Sequence, residues 1–299
     1  MATPQSGIFV EGHRCLHALE YTLAPDVSTH TITPGVQAAI EAVHATEAEA
    51  VFAFGAQLWA RIARDRMPGG FTDFQPIDGP KTHAPATQRD ILVWLHAPAR
   101  DQIMDAVLAV DGVLSTFATR ALDLPGFVYH DSRDLTGFVD GSANPKDDMA
   151  KREAALVPDG EPGAGGTIVL SQKWVHDLSK FNELNIPDQE RVIGRTKPDS
   201  IELEGDAQPI DSHVSRTDLK INGIGQKMFR RSFPYGVASE HGLYFLAFAC
   251  EQARFDNVLA SMYGLGEDGI SDHLLDFSTP VTGSYWFAPS EEDLEAVLA

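Results

Sequence analysis

One short pattern occurs twice in this chain, 151 residues apart. Val93-Trp94-Leu95 is followed by Asp105-Ala106-Val107-Leu108-Ala109, and Tyr244-Phe245-Leu246 is followed at equal spacing by Asp256-Asn257-Val258-Leu259-Ala260. The apolar triplet reads as a buried strand, and the Asp-x-Val-Leu-Ala run as a helix packed on it. The offset is close to half of the 299 residues, so two copies of one unit are expected, each mixing strands and helices. The fold class is therefore α+β. Residues 121–126 read as the connection, which gives a first half of 1–125 and a second half of 126–299.

Local patterns fill in the halves. Residues 13–23 alternate as a strand, with His13, Cys15, His17 and Leu19 on one face. A zinc site from His13, Cys15 and His17 is the less favoured reading, because three ligands along one extended strand seldom converge on one ion. Residues 36–48 form a helical pattern opened by Thr33 and Pro34. Residues 50–54 and 90–96 read as strands and 99–110 as a helix. In the second half 167–170 reads as a strand and 172–182 as a helix. A strand over 228–233 puts Met228, Arg230 and Ser232 on one face and Phe229, Arg231 and Phe233 on the other.

Composition excludes several partners. The formal net charge of −20 argues against nucleic acid and anionic membrane, since both need basic surface. Cys15 and Cys250 are the two cysteines, too few for a disulfide framework, a four-cysteine zinc site or a Cys-x-x-Cys-His haem attachment. The N-terminal residues lack the basic start and apolar core of a secretion signal, and no apolar run approaches a membrane span. A cytoplasmic protein is expected.

The stretch from Asp134 to Pro145 carries the first chemical signal. Gly137 and Gly141 flank Phe138, Val139 and Asp140, and Asn144-Pro145 closes the segment in a turn. The glycines open backbone angles closed to other residues, and Phe138 and Val139 can pack the loop inward. Asp140 is then a carboxylate at a partly apolar pocket, suited to acid/base work. An ordinary surface Asp-Gly turn is the competing reading.

Taken together, Gly137-Phe138-Val139-Asp140-Gly141 with Asn144-Pro145, His213 in Ser-His-Val-Ser-Arg-Thr-Asp-Leu, and Arg230 in Arg-Arg-Ser-Phe-Pro-Tyr-Gly resemble the dye-decolourising peroxidases, most closely type B. Gln5-Ser6-Gly7-Ile8, Ile193-Gly194-Arg195-Thr196, Pro280-Val281-Thr282-Gly283 and Phe287-Ala288-Pro289 extend the likeness over residues 5–289. The resemblance implies two ferredoxin-like halves forming a dimeric α+β barrel within one chain. It also implies one non-covalent haem b per chain, held in the second half. By matching position it makes His213 the proximal iron ligand and Asp140 and Arg230 the distal pair. Ser232 falls at a further distal position, and Arg195 is a partner for a haem propionate. Asp276 is taken as the acceptor for the second ring N–H of His213.

The implied reaction is reduction of hydrogen peroxide with oxidation of an organic donor, such as a dye or phenolic, through a high-valent oxo-iron intermediate. The residue types suit it. A carboxylate can move the proton from the inner to the outer peroxide oxygen, and an arginine supplies fixed charge where negative charge develops. A histidine that donates its other N–H to a carboxylate is a stronger ligand. An Asp acid/base group, with an unperturbed pKa near ~4, extends activity to acid pH. A homo-oligomer is expected. The competing reading is a haem- or porphyrin-handling protein for storage, delivery or iron removal, which would have no use for the Asp140 and Arg230 pair.

Overall fold

The computed structural model describes residues 2–298. The first half runs β1 (Cys15–Leu23), α1 (Thr29–His44), β2 (Glu49–Phe54), α2 (Ala56–Ile62), a small ladder of β3 (Ile77–Asp78) and β4 (His83–Ala84), β5 (Ile91–Ala97), α3 (Arg100–Leu114) and β6 (Ala118–Phe127). The second half begins with α4 (Asp148–Ala155), β7 (Thr167–His176), α5 (Leu178–Glu183), α6 (Ile186–Ile193) and α7 (His213–Thr217). A ladder of β8 (Lys220–Ile221) and β9 (Ile224–Gly225) follows, then β10 (Phe229–Arg230), β11 (Phe233–Val237) and β12 (Glu240–Ala249). The chain continues with α8 (Ala253–Met262), β13 (Ser278–Pro280), β14 (Ser284–Ala288) and α9 (Glu291–Leu298).

Ten strands make one sheet in the order β10-β12-β7-β14-β2-β5-β1-β6, with β11 beside β12 and β13 beside β7. The order contains the repeat. Reading β2-β5-β1-β6 and β10-β12-β7-β14, each half lines up its second, third, first and fourth strand, the ferredoxin-like arrangement. The halves join where β14 pairs antiparallel with β2. At the opposite ends of the sheet β6 packs on β11. A Cβ on Gly126 would lie 2.0 Å from a ring carbon of Phe233, so glycine permits that approach. The result is the α+β barrel.

Strands inside such a barrel are buried on both faces and read as unbroken apolar runs. On β5, Ile91, Val93 and Leu95 pack outward with Val36 of α1 and Ile103, Val107 and Val110 of α3. Leu92 and Trp94 pack inward with Leu246, Phe248 and Trp286. A carboxyl group lies inside this core. The fully buried Glu20 accepts from Tyr244 Oη at 2.7 Å and from Ser171 Oγ at 3.4 Å. Burial pushes the carboxyl up to about 7 against the opposing pull of these hydrogen bonds.

The repeat is real, but its register differs from the letter match. Buried residues Ile103, Ala106, Val107 and Val110 of α3 correspond to Phe255, Val258, Leu259 and Met262 of α8, an offset of 152 residues. The strands agree: Ile91 and Val93 face the helices in β5, while Leu243 and Phe245 lie on the helix-facing side of β12. An offset of 151 would pair opposite faces, because a one-residue slip turns every side chain over.

Three other expectations are corrected. Residues 121–126 are not a connection; they lie in β6, which pairs with β1 from Cys15↔Phe127 to Leu23↔Ala118. Pro125 is tolerated there because β6 is an outer strand of the sheet. Residues 172–176 continue β7, since the ladder with β12 runs on to Gly242↔Val175 and Gln172 is buried; the helix begins at Leu178. The first helix starts at Thr29 and carries Pro34 in its second turn.

Candidate functional site

A cavity of about 420 Å³ opens on the helix-facing side of the second half's sheet. Leu170, Gln172 and Trp174 of β7 and Leu243 and Phe245 of β12 line it from the sheet, and Val258, Leu259 and Met262 of α8 from the helix. Every lining residue falls between Asp134 and Ser278. The walls are mostly apolar, with a few polar groups placed among them.

Asp140 reaches this cavity on a tightly held loop. Gly137 and Gly141 have φ of +89° and +72°, so the two glycines serve the turns their positions suggest. The Arg133 guanidinium donates to the carbonyls of Gly137, Lys197 and Pro198, and the Asp140 N–H donates to Ser132 O at 3.0 Å. Phe138 anchors the loop in a cluster with Phe181, Val192, Ile193 and Phe277.

Arg230 is fixed to the same loop. Asn144 Nδ2 donates to Arg230 O at 2.8 Å, and Arg230 N–H donates to Asn144 Oδ1 at 3.0 Å. Arg230 and Arg231 point to opposite faces, as the alternation predicts. Arg230 lines the cavity, whereas Arg231 is held by the carbonyls of Ile8 and Val10 and lies over the Trp94 ring. Among the described residues neither the Asp140 carboxylate nor the Arg230 guanidinium has a hydrogen-bond partner, and no ion pair joins them. Both are free for an occupant.

His213 opens α7, whose first turn is capped by Ser212 Oγ accepting from Ser215 N–H. Its Nδ1 lies 2.7 Å from Asp272 Oδ2. A carboxylate oxygen only accepts, so Nδ1 carries the proton and Nε2 keeps its lone pair. Nε2 has no partner among the described residues, and His213 lines the cavity.

Asp272, not Asp276, is thus the partner of His213. Asp272 is fully buried, and its Oδ1 also accepts from Leu274 N–H at 2.9 Å. The short 3-10 turn His273–Asp276 that it caps carries Asp276 to the surface, where Lys81 and His273 meet its carboxylate. Arg195 does line the cavity, with its guanidinium held by Ser200 O at 2.9 Å and Glu202 Oε2 at 2.8 Å. Ser232 faces a different space. A second chamber of about 360 Å³ lies behind Asp140 and Arg230, which line both cavities, and Ser232 belongs to this chamber alone.

Residue-by-residue reading missed one buried group in the cavity wall. His176 Nε2 lies 3.0 Å from Asp134 Oδ1, and His176 Nδ1 lies 2.8 Å from Ser278 Oγ. Burial alone would raise the Asp134 carboxyl, but the charge of His176 and hydrogen bonds from His176 and Thr136 hold it below its ordinary value. No sequence spacing links residues 134, 176 and 278. The less favoured zinc site is not formed: His13 meets His96 and His17 meets Asp123.

Comparison with known proteins places this geometry. Residues 22–119 match the N-terminal and residues 131–293 the C-terminal portion of the Dyp-type peroxidases. A dye-decolorizing peroxidase of Mycobacterium tuberculosis is 33% identical over 82% of this chain and 74% of its own length. One from Rhodococcus erythropolis is 34% identical over 82% of this chain and 73% of its own. Among solved structures, the V. cholerae dye-decolorizing protein has a TM-score of 0.88 at 36% identity, covering 98% of this chain and 99% of that one. A variant of Rhodococcus jostii DypB in complex with heme has a TM-score of 0.91 at 34% identity, covering 98% of both chains.

Proposed function

Since the chain belongs to the dye-decolourising peroxidase family, type B, and is a haem-dependent peroxidase, we propose that His213, Asp140 and Arg230 carry its chemistry. In this reading the second half holds one haem b, without a covalent bond, in the cavity of about 420 Å³. The donor set suits that group. His213 offers a free Nε2 with its tautomer fixed by Asp272, the surrounding walls are apolar, and the buried Gln172 Nε2 in the same wall has no partner. Arg195 at the rim would hold a propionate.

The bound haem supplies the iron at which peroxide is reduced and the oxidising equivalents that donors then remove. The chain's residues do the rest. Asp140 accepts the proton of the inner peroxide oxygen and returns it to the outer oxygen, which leaves as water. Arg230, a permanent cation with no competing partner, favours the peroxide anion and the charge on the departing oxygen. Asp272 keeps the His213 proton on Nδ1 and so raises the basicity of Nε2. No helix among the described residues is long and apolar enough to cross a membrane. A cytoplasmic homo-oligomer, with its halves divided just after β6, completes the proposal.

The observation that carries this reading is the free, oriented Nε2 of His213 in the cavity that Asp140 and Arg230 also line. The test is the absorption spectrum of purified His213→Ala. Loss of haem, or a changed ferric spectrum, is expected; full haem with the parent spectrum would assign the iron to another residue.

A further inference from the structure

His13 also lines the second chamber, and its hydrogen bonds fix what that histidine offers. His96 is fully buried, and its Nε2 lies 2.9 Å from Gly7 O. A carbonyl only accepts, so His96 Nε2 carries the proton. Burial, with the Arg231 charge nearby, pushes His96 down to about 3, so the ring is neutral and its Nδ1 is an acceptor. His13 Nδ1 lies 2.8 Å from that Nδ1 and 3.2 Å from His96 O. Both are acceptors, so His13 Nδ1 must be the donor. With His13 Nδ1 committed as the donor, Nε2 is the nitrogen of this ring that can offer a lone pair; it has no partner among the described residues, and His13 lines the chamber.

The rest of the chamber suits a small aromatic alcohol. Phe127 and Tyr129 supply ring surfaces, Glu11, Lys146 and Lys151 supply charged groups, and Asp140 and Arg230 form the wall shared with the cofactor cavity. Its volume of about 360 Å³ lies in the range of small-molecule sites, roughly 300–1,000 Å³.

We propose that this chamber binds phenolic donors and that His13 Nε2 is the base that takes their hydroxyl proton. The proposal rests on the assignment of the cofactor to the neighbouring cavity. The phenol O–H bond breaks, its proton passes to His13 Nε2, one electron passes to the oxidised cofactor across the Asp140 and Arg230 wall, and a phenoxyl radical leaves. The His13 proton then returns to solvent. His96, anchored to Gly7 O, is the positioning residue that keeps the accepting nitrogen on the chamber side.

The test compares guaiacol, its methyl ether veratrole and ferrocyanide, which has no proton to give, in holoenzyme and in His13→Phe. The ratio of guaiacol to ferrocyanide oxidation rates should fall by about 10²-fold, the usual scale for loss of a positioned base. Guaiacol binding to the resting holoenzyme, measured by calorimetry, should weaken by about tenfold, and veratrole should bind no better than that variant binds guaiacol. A rate ratio within twofold of the parent would overturn the proposal. Loss of ferrocyanide oxidation would instead point to failure of the cofactor assignment. If His13→Phe does not fold, crystals of the unaltered holoenzyme soaked with guaiacol decide. The hydroxyl should lie within hydrogen-bond distance of His13 Nε2, and a guaiacol seated elsewhere contradicts the inference.

Discussion

In the first half of the molecule the helix-facing side of the sheet is filled; in the second half the equivalent side is hollow. Both halves use the same strand order, and α3 and α8 bury equivalent positions. The difference lies between the first and second strands of each unit. In the first half that segment is the single helix α1, whose Ile32, Val36, Ala39 and Val43 are buried in the core. In the second half α5, α6, α7 and the β8–β9 ladder occupy the corresponding stretch of chain. No long helix covers the sheet there, and Leu243, Phe245, Val258 and Leu259 line a cavity with His213. The repeated scaffold holds a cavity in the half where short, separately anchored pieces stand in place of one long helix.

The comparison breaks first at Asp140 and Arg230, the proposed catalytic pair, which both belong to the second half. We expect Arg230→Leu to slow the reaction with peroxide by about 10²–10³-fold, the scale for loss of one electrostatic donor. Asp140→Ala should cost less at neutral pH, because an ordered water can carry part of its proton transfer. Stopped-flow mixing with peroxide, on variants carrying full haem, ranks the two. Abolition of the reaction in Asp140→Ala with a near-parent rate in Arg230→Leu would reverse the order.

A smaller effect is expected at the partner of His213. Asp272→Asn removes the carboxylate that holds the His213 proton, and loss of such a partner typically costs about 10–100-fold in affinity or activity. Asp276→Asn should leave both unchanged, since its carboxylate meets Lys81 and His273 at the surface. Haem titration of the two variants separates these positions, and equal effects would contradict the assignment of Asp272.

A further expected effect, on stability rather than activity, concerns the interior that the halves share. Glu20 has a folded pKa of about 7 against 4.5 for an ordinary glutamate, so between those pH values the unfolded chain loses a proton that the folded chain keeps. Stability therefore falls as pH rises from 4.5 to 7, by roughly 3 kcal/mol in all. Glu20→Gln should be more stable than the parent at about pH 8 and level with it near pH ~4. Chemical denaturation at the two pH values measures this, and a parent as stable as the variant at the higher pH would contradict it.

Much of the site was legible because its signals are local. Glycines at 137 and 141 turn where positive φ is needed, and period-two alternation sends Arg230 and Arg231 to opposite faces. The partner of His213 was not legible. Asp272 and Asp276 lie four residues apart on one turn, and what separates them is burial, which depends on where Met262 and α7 pack. Ser232 has the face that alternation gives it, but the wall of Asp140 and Arg230 puts it in the neighbouring chamber. The repeat was visible through a coincidence of letters at 151, whereas the physical equivalence at 152 is carried by burial rather than residue identity. Strand β6 was hidden because, as an outer strand, it leaves most of its residues exposed, and Pro125 and Gly126 interrupt its pattern.

The central claim is that only the second half of the repeat binds haem, through His213. The most direct measurement is haem content, by absorption titration, of His213→Ala beside His44→Ala and His96→Gln, first-half histidines on α1 and β5. We expect His213→Ala to lose most of its haem or its ferric spectrum, and folded His44→Ala and His96→Gln proteins to keep the parent's stoichiometry. Full haem in His213→Ala, or its loss from either folded first-half variant, would contradict the claim.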